Sequence, residues 1–247
     1  MKNFLKNLWR RQSFNPSFML GLWINPFFII RKGLINGVIE ISDHVKEGKL
    51  LDVGCGSKPY KEFFDVDEYI GIDIEVSGHD HSSNKISASD IDMYYDGKEI
   101  PFSDNFFDHV FSSEVLEHVF NIDELLNEIN RVLKDGGTFS FTCPFAWDEH
   151  VQPYDFARYT SFAIDHLLSK HGFELIKLSK STFYFQTVMQ MLSAYVYQHV
   201  LPKNKLVRVL LTPVLVAPIN IIGLLFGYFL PKNKNFYHNN IVIARKT

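Results

Sequence analysis

The chain has 247 residues, two cysteines, a net charge of −3 and a hydrophobic content of 46%. That length accommodates one large α/β domain with an insertion, and the apolar fraction is enough for a sizeable core. The weak net charge, with no stripe of arginine and lysine, argues against a nucleic-acid partner.

Cys55 and Cys143 have neither metal nor disulfide spacing and suit a reducing, cytoplasmic compartment. At the amino end, Lys2, Lys6, Arg10 and Arg11 alternate with Phe4, Leu5, Leu8 and Trp9, and residues 17–30 then carry no charge. A secretory signal needs an unbroken apolar core and a small-residue cleavage site; here Asn25-Pro26 interrupts the run and Arg31-Lys32 follows it. Two readings remain for residues 1–44. One is a helical cap that packs on a sheet and closes over a ligand. The other is a basic, aromatic segment lying on an anionic membrane surface.

Lys49-Leu50-Leu51-Asp52-Val53 reads as a short apolar strand running into Gly54-Cys55-Gly56. Glycines there let the backbone turn tightly and bring a ligand against bare main chain. A second strand, Glu68-Tyr69-Ile70-Gly71-Ile72-Asp73, ends in an acid placed to accept hydrogen bonds from a ribose. A dinucleotide fold needs a third glycine five residues after the first, and Pro59 stands there. Asp52 would also repel a phosphate, whereas its charge suits an amine or sulfonium.

Further along come Asp96-Gly97-Lys98-Glu99-Ile100-Pro101-Phe102, a strand lead-in at 104–111, and Ser112-Ser113-Glu114-Val115-Leu116-Glu117-His118-Val119. A helix over 122–133, a stop at Asp135-Gly136-Gly137 and a fifth strand over 138–142 complete the series. Leu51 to Gly56, Ile72-Asp73 and the segment from Asp96 resemble, in order, the motifs of class I S-adenosylmethionine-dependent methyltransferases. The resemblance covers roughly residues 45–185. Ser57-Lys58-Pro59-Tyr60 departs from it, since many members carry a further glycine there; this version is similar to a bacterial subgroup of the type 11 kind.

The resemblance implies a Rossmann-like, doubly wound α/β fold. Its sheet would have seven mostly parallel strands with an antiparallel strand at the carboxyl end. It implies S-adenosyl-L-methionine as cofactor, with contacts from Asp52, Gly54, Cys55, Gly56, Asp73, Ile74, Asp96, Ser112 and Ser113. The methyltransferase domain is expected over 45–185 and 236–247.

Residues 173–182 and 240–245 read as strands, which in that family form a hairpin at the sheet edge. A helical insertion, 186–235, lies between them. Residues 186–201 are expected to be helical, and 209–230 hold no charged side chain, long enough to be a membrane-span candidate. The return of the chain to the sheet argues against a single crossing, and Pro213, Pro218 and Asn220 interrupt a straight helix. Leu-Pro-Lys-Asn-Lys at 201–205 and again at 230–234 puts positive charge at both ends. The insertion is expected to dock on or dip into one leaflet, on the inner face of the membrane; a homodimer interface or internal packing layer is the alternative.

For chemistry, methyl transfer needs alignment above all. A hydroxyl acceptor also needs a proton removed, and His118 and His150, after the fourth and fifth strands, are the candidate bases. Tyr154, Asp155, Arg158 and Tyr159 lie in a polar and aromatic segment that reads either as an acceptor-binding loop or as a structural lid capped by Thr160. Glu114, Glu117 and His118 would share one helix face. With His150 they could hold a divalent ion, a pattern similar to that of some metal-assisted O-methyltransferases, or Glu117 could cap or pair locally. The expected function is O-methylation of a glycan, lipid-linked or other membrane-proximal small-molecule acceptor. The alternative is a non-catalytic subunit of the same fold assembling at a membrane.

Overall fold

The structure is a computed structural model that describes residues 12–75 and 90–247. The basic and aromatic residues at 2–11 lie outside the described residues. Contacts divide the chain into two compact units, one of residues 37–179 and 240–247, the other of residues 1–36 and 180–239.

The larger unit is built on a seven-stranded sheet. Its strands are β1 (Lys49–Val53), β2 (Glu68–Ile74), β3 (Met93–Tyr95), β4 (Phe107–Ser113), β5 (Leu133–Pro144), β6 (Phe173–Lys180) and β7 (Asn239–Lys246). Their order across the sheet is β3-β2-β1-β4-β5-β7-β6. The β1–β2, β1–β4, β2–β3 and β4–β5 pairs are parallel, and the carboxyl-terminal strands are antiparallel. β7 lies beside β6 at one edge, so the chain leaves the sheet after β6 and comes back to it.

Leu50, Leu51 and Val53 are fully buried on both faces of β1, as a central parallel strand requires. Helix α3 (Ile122–Val132) buries Leu125, Leu126, Ile129 and Val132 along one stripe and carries Asp123 and Glu124 in its first turn, Arg131 in its last. Arg131 ties this helix to the preceding loop: its guanidinium donates to Glu128, Asp104 and the carbonyls of Ile100 and Phe102. Helix α4 (Ser161–Lys170) starts at Thr160, whose hydroxyl accepts from the Ala163 amide, as the sequence predicts.

The smaller unit is helical. It holds α1 (Phe18–Ile24), the start of α2 (Phe28–Ser42), α5 (Tyr184–Tyr195) with a π-helical turn at Val196–Val200, α6 (Lys205–Leu215) and α7 (Ala217–Phe229). α6 and α7 meet at Val216, with Pro213 inside α6 and Pro218 at the start of α7, so the apolar run is broken near its proline positions. α1 packs on α6 and α7. The amino-terminal segment and the insertion, expected as separate elements, therefore share one unit.

Candidate active site

The turn after β1 is shaped by two glycines with left-handed backbone. Gly54 has φ +73°, and a Cβ there would lie 2.4 Å from the Val115 Cγ2 atom. The Gly54 and Cys55 amides both donate to the Ile72 carbonyl, at 2.9 and 3.0 Å. Gly56 has φ +50°, and its amide donates to Asp73 Oδ2 at 2.7 Å, while Asp73 Oδ1 accepts from the Ile74 amide at 2.8 Å. The carboxylate closing β2 thus anchors the turn closing β1. Lys58, two residues after Gly56, adopts the glycine-like φ of +49°. Its ammonium lies 2.6 Å from Asp92 Oδ2, which also accepts from the Gly71 amide at 2.7 Å. Partial burial alone would raise the Asp92 pKa, but these two donors outweigh it and hold the carboxyl below its usual range.

Asp52 is buried, and its carboxylate accepts from the Tyr69 hydroxyl at 2.5 Å. Burial pushes its pKa up to about 7; the Tyr69 bond opposes this and the nearby Asp73 charge adds to it. Burial likewise raises the Cys55 thiol. Asp96 forms a local turn, Oδ1 accepting from the Lys98 and Glu99 amides at 2.8 and 3.0 Å, which lowers its pKa.

Two residues expected to contact the cofactor bond protein groups through their side chains. Ser112 is fully buried and its hydroxyl donates to the Val53 carbonyl at 2.9 Å, so this side chain ties β4 to β1. Ser113 bonds the Thr142 hydroxyl at 2.8 Å, and Thr142 donates to Glu114 Oε1 at 2.9 Å. Both serines meet protein groups because they alternate along a central strand flanked on both sides.

His118 and His150 converge. They follow β4 and β5, at the same edge of the parallel strands as the Gly54 turn and Asp73. Their ring centroids are 4.8 Å apart. Each ring gives its Nδ1 hydrogen to an oxygen that can only accept. His118 Nδ1 bonds the Tyr154 carbonyl at 2.6 Å; His150 Nδ1 faces the Asp148 carbonyl and Asp155 Oδ2, each at 3.2 Å. In the neutral rings, Nε2 is therefore the lone-pair nitrogen on both. Burial lowers the His118 pKa, the Tyr154 carbonyl opposes it, and His150 lowers it further.

The helix face expected for Glu114, Glu117 and His118 does not form. Glu114 sits in a turn with φ +56°, and only Leu116–His118 is helical, as a single 3-10 turn. Glu114 points toward Thr142 and stays outside the cluster. Glu117, His118 and His150 instead bring one ligand atom each to within 4.8 Å of one another. The Glu117 carboxylate is fully buried, and among the described residues neither oxygen has a hydrogen-bond partner. Burial first, then the Glu114 charge, raises its pKa well above the ordinary carboxylate range.

The loop from 150 to 159 is more internally tied than expected. Asp155 accepts both arms of the Arg158 guanidinium, at 2.5 and 2.7 Å, and also the His150 amide at 2.9 Å. Partial burial would raise Asp155, yet Arg158 and the His150 amide bring it down to about 2. Asp155 and Arg158, expected to meet an acceptor, here hold the loop and the His150 ring. Tyr159 packs against the core, and its carbonyl accepts from Asn240. Tyr154 remains half exposed. A hollow of about 200 Å³ beside this loop is lined by Trp147, Glu149 and Phe156 together with the Asp155–Arg158 pair. A larger hollow, about 480 Å³, lies around Gly48, His109 and Thr138 at the amino ends of the strands. Open α/β sheets bind ligands at the opposite edge. Sequence reasoning missed the partnership of Lys58, Gly71 and Asp92; the missing glycine was its only signal.

Residues 51–141 match the family described as a methyltransferase domain. This is a class I S-adenosylmethionine-dependent methyltransferase domain. The chain is 36% identical over 104 residues to a demethylmenaquinone methyltransferase of Staphylococcus haemolyticus, a match covering 38% of the chain and 43% of that protein. It is 31% identical over 107 residues to a sterol 24-C-methyltransferase of Schizosaccharomyces pombe, covering 38% of the chain and 28% of that protein. The chain thus spans between about a quarter and a half of the length of these curated relatives. Among solved structures, a Haemonchus contortus phosphoethanolamine N-methyltransferase in complex with S-adenosyl-L-methionine superposes with a TM-score of 0.53 at 18% identity, covering 96% of the chain and 59% of that one. That likeness shows the shared fold.

The donor set suits S-adenosylmethionine. A carboxylate closes β2 for ribose hydroxyls, two glycines leave the β1 turn bare, and the Asp52 carboxyl precedes that turn, bonded by Tyr69.

Proposed function

We propose that the protein transfers the methyl group of S-adenosylmethionine to a hydroxyl of a small-molecule acceptor, with His150 as general base. The observation that carries this reading is the pair of imidazoles at the carboxyl edge of β4 and β5. Both have Nε2 as the lone-pair nitrogen, and one has its Nδ1 held by an ionised carboxylate, Asp155. The bound cofactor supplies an electrophilic methyl on its sulfonium. The Gly54–Gly56 turn and Asp73 orient it. His150 Nε2 takes the acceptor's proton, while Asp155 keeps the ring in the Nδ1–H tautomer. The hollow lined by Trp147, Glu149 and Asp155 adjoins the His150 loop and supports an acceptor binding beside the base.

The acceptor we favour is membrane-proximal, a glycan or a lipid-linked molecule reached from the inner face. Two observations support this class. Two similar relatives are named for a sterol and for demethylmenaquinone, and the helical unit exposes large apolar side chains. The test is incubation with labelled S-adenosylmethionine and separate membrane and cytosolic extracts, read by mass. Label entering a membrane extract at a hydroxyl supports the reading. Cofactor binding with no label in either extract supports the alternative, a non-catalytic subunit.

A second reading is favoured by Glu117. A fully buried carboxylate with no hydrogen-bond partner among the described residues, its Oε1 3.6 Å from His118 Nε2, suits a divalent cation as well as a retained proton. Glu117, His118 and His150 would hold that ion, and it would lower the pKa of an acceptor hydroxyl. Thermal-shift titration with Zn²⁺ or Mg²⁺ of wild type and Glu117→Gln separates the two. A metal-dependent shift lost in the variant selects the ion.

A further inference from the structure

The two units differ completely in charge. Residues 1–36 and 180–239 contain no aspartate or glutamate, and carry lysine or arginine at twelve positions. All 28 acidic residues lie in the other unit, with the remaining thirteen basic ones. The net charge of −3 is thus +12 over residues 1–36 and 180–239 and −15 over the rest of the sequence.

The helical unit is also inside out. A helix on a water-soluble protein buries its large apolar residues and exposes polar ones. Here α7 buries Ala217, Asn220, Gly223 and Gly227, and exposes Leu225, Phe226, Tyr228 and Phe229. α5 buries Thr187, Gln190, Ser193 and Ala194, and exposes Tyr184, Val188, Leu192 and Tyr195. α1 buries only Gly21 and exposes Phe18, Met19 and Trp23.

The buried polar groups bind helix ends rather than water. Gln190 accepts from the Ile29 and Ile30 amides at 3.0 and 3.2 Å and donates to the Pro26 carbonyl at 2.8 Å. Ser193 donates to the same carbonyl at 2.7 Å, and Asn220 to that of Asn25 at 3.1 Å. The glycines allow close helix contact: a Cβ on Gly223 would meet Ile29 at 2.7 Å, and one on Gly227 would meet Gln186 at 2.7 Å. Small residues at helix contacts, buried side-chain donors of Gln190, Ser193 and Asn220 spent on backbone carbonyls, and large apolar side chains outside are the arrangement that an apolar solvent selects.

Cations gather on aromatic rings around this surface. Arg208 lies over Tyr197 at 4.9 Å, Lys234 over Phe183 at 5.4 Å, and Lys232 over Tyr228 at 6.0 Å. Basic and aromatic side chains together mark the boundary between hydrocarbon and headgroups. The helical run Lys205–Phe229 spans 25 residues, and its most apolar 18 have a mean hydropathy of 2.3, but it is broken at Val216 and joins two neighbouring strands of one sheet. Its two ends therefore stay on one side of a bilayer.

We propose that the acid-free helical unit is a monotopic membrane anchor, lying in one leaflet of a bilayer that carries anionic lipid. Charge decides between this occupant and a second copy of the chain. A two-fold interface would press two acid-free basic surfaces together, whereas anionic headgroups neutralise the rim. The proposal is independent of the methyl-transfer reading.

The test is flotation of the full chain with vesicles of phosphatidylcholine alone and of phosphatidylcholine with phosphatidylglycerol. Leu225→Asp with Phe226→Asp, both exposed, probes the apolar face, and Lys232→Gln with Lys234→Gln probes the rim. Circular dichroism verifies that each variant folds. Wild type is expected to float with the anionic vesicles at least ten-fold more than with the neutral ones, the acidic variant to remain at the bottom, and the glutamine variant to lose most of the anionic preference. Equal flotation on both vesicles, or flotation of the acidic variant like wild type, overturns the proposal. A soluble dimer that binds neither vesicle, and that the acidic variant dissociates, overturns it in favour of an interface between copies.

Discussion

The Lys58 side chain crosses the bare Cα of Gly71 to reach Asp92. Its ammonium is 2.6 Å from Asp92 Oδ2, and a Cβ on Gly71 would lie 2.3 Å from Lys58 Cε. One residue without a side chain on β2 thus lets a lysine after the glycine turn be pinned to the residue just before β3. Lys58 itself takes up a left-handed backbone, φ +49°.

Gly71→Ala is expected to destabilise the protein by about 1–3 kcal/mol, the usual cost of overpacking. It should also weaken cofactor binding, because the β1 turn must shift. Lys58→Ala in the same chain should recover part of the loss, since it removes the nearer of the two obstacles; Cys55 Sγ, 2.8 Å away, remains. A double-mutant cycle by thermal denaturation and calorimetry measures this, and strictly additive effects would contradict it.

Asp73→Ala is expected to weaken S-adenosylmethionine binding ten-fold or more. It removes the ribose acceptor and releases the Gly56 amide that positions the turn. Each charge-assisted bond lost costs about 1.5–3 kcal/mol. Unchanged affinity in a folded variant, measured by calorimetry, would remove Asp73 from the site.

Asp52 makes stability depend on pH. Its pKa is raised from 3.8 to about 7 by burial, so the folded state keeps a proton that the unfolded state loses between those values. Stability contributed by this group is complete below about pH 4 and declines as pH rises to about 7. Asp52→Asn keeps an acceptor for Tyr69 and cannot ionise. Its melting temperature relative to wild type should therefore climb from pH 4 to pH 7 and level off above. A difference that does not vary with pH would show that Asp52 is not buried as described.

His150→Ala is expected to lower kcat by roughly 10²–10⁴, the range for loss of a general base, with cofactor affinity nearly unchanged. Asp155→Asn should lower kcat less and shift its pH profile, because Asp155 acts through the His150 ring. Normal turnover in His150→Ala would exclude this base and leave His118 as the candidate.

Arg131→Ala is expected to cost about 2–3 kcal/mol of stability without a direct effect on binding. The guanidinium holds the carbonyls of Ile100 and Phe102 to α3, and Glu128 also accepts from the Ile100 amide. Chemical denaturation tests it; a change under 0.5 kcal/mol would mean the loop is held by packing alone.

The sequence by itself determined the sheet, the cofactor turn and the hairpin flanking the insertion. Each is written in local chemistry: a both-face apolar strand before Gly54-Cys55-Gly56, an acid at the end of β2, and uncharged residues between two strands that must meet. It also placed His118 and His150 at the correct edge, because the carboxyl end of a parallel strand follows from chain order alone.

Only the tertiary structure decided what those side chains face. Ser112, Asp155 and Arg158 read as ligand contacts in one dimension, and the fold adds that their side chains bond Val53, His150 and one another. Glu114 and Glu117 have helical spacing, yet the backbone at Glu114 turns left-handed and sends the two carboxylates to different neighbours. Likewise, apolar periodicity marks α5 and α7 as amphipathic without saying which face is inside. Periodicity records that a helix has two faces. The solvent and the partner helices decide which of them is buried.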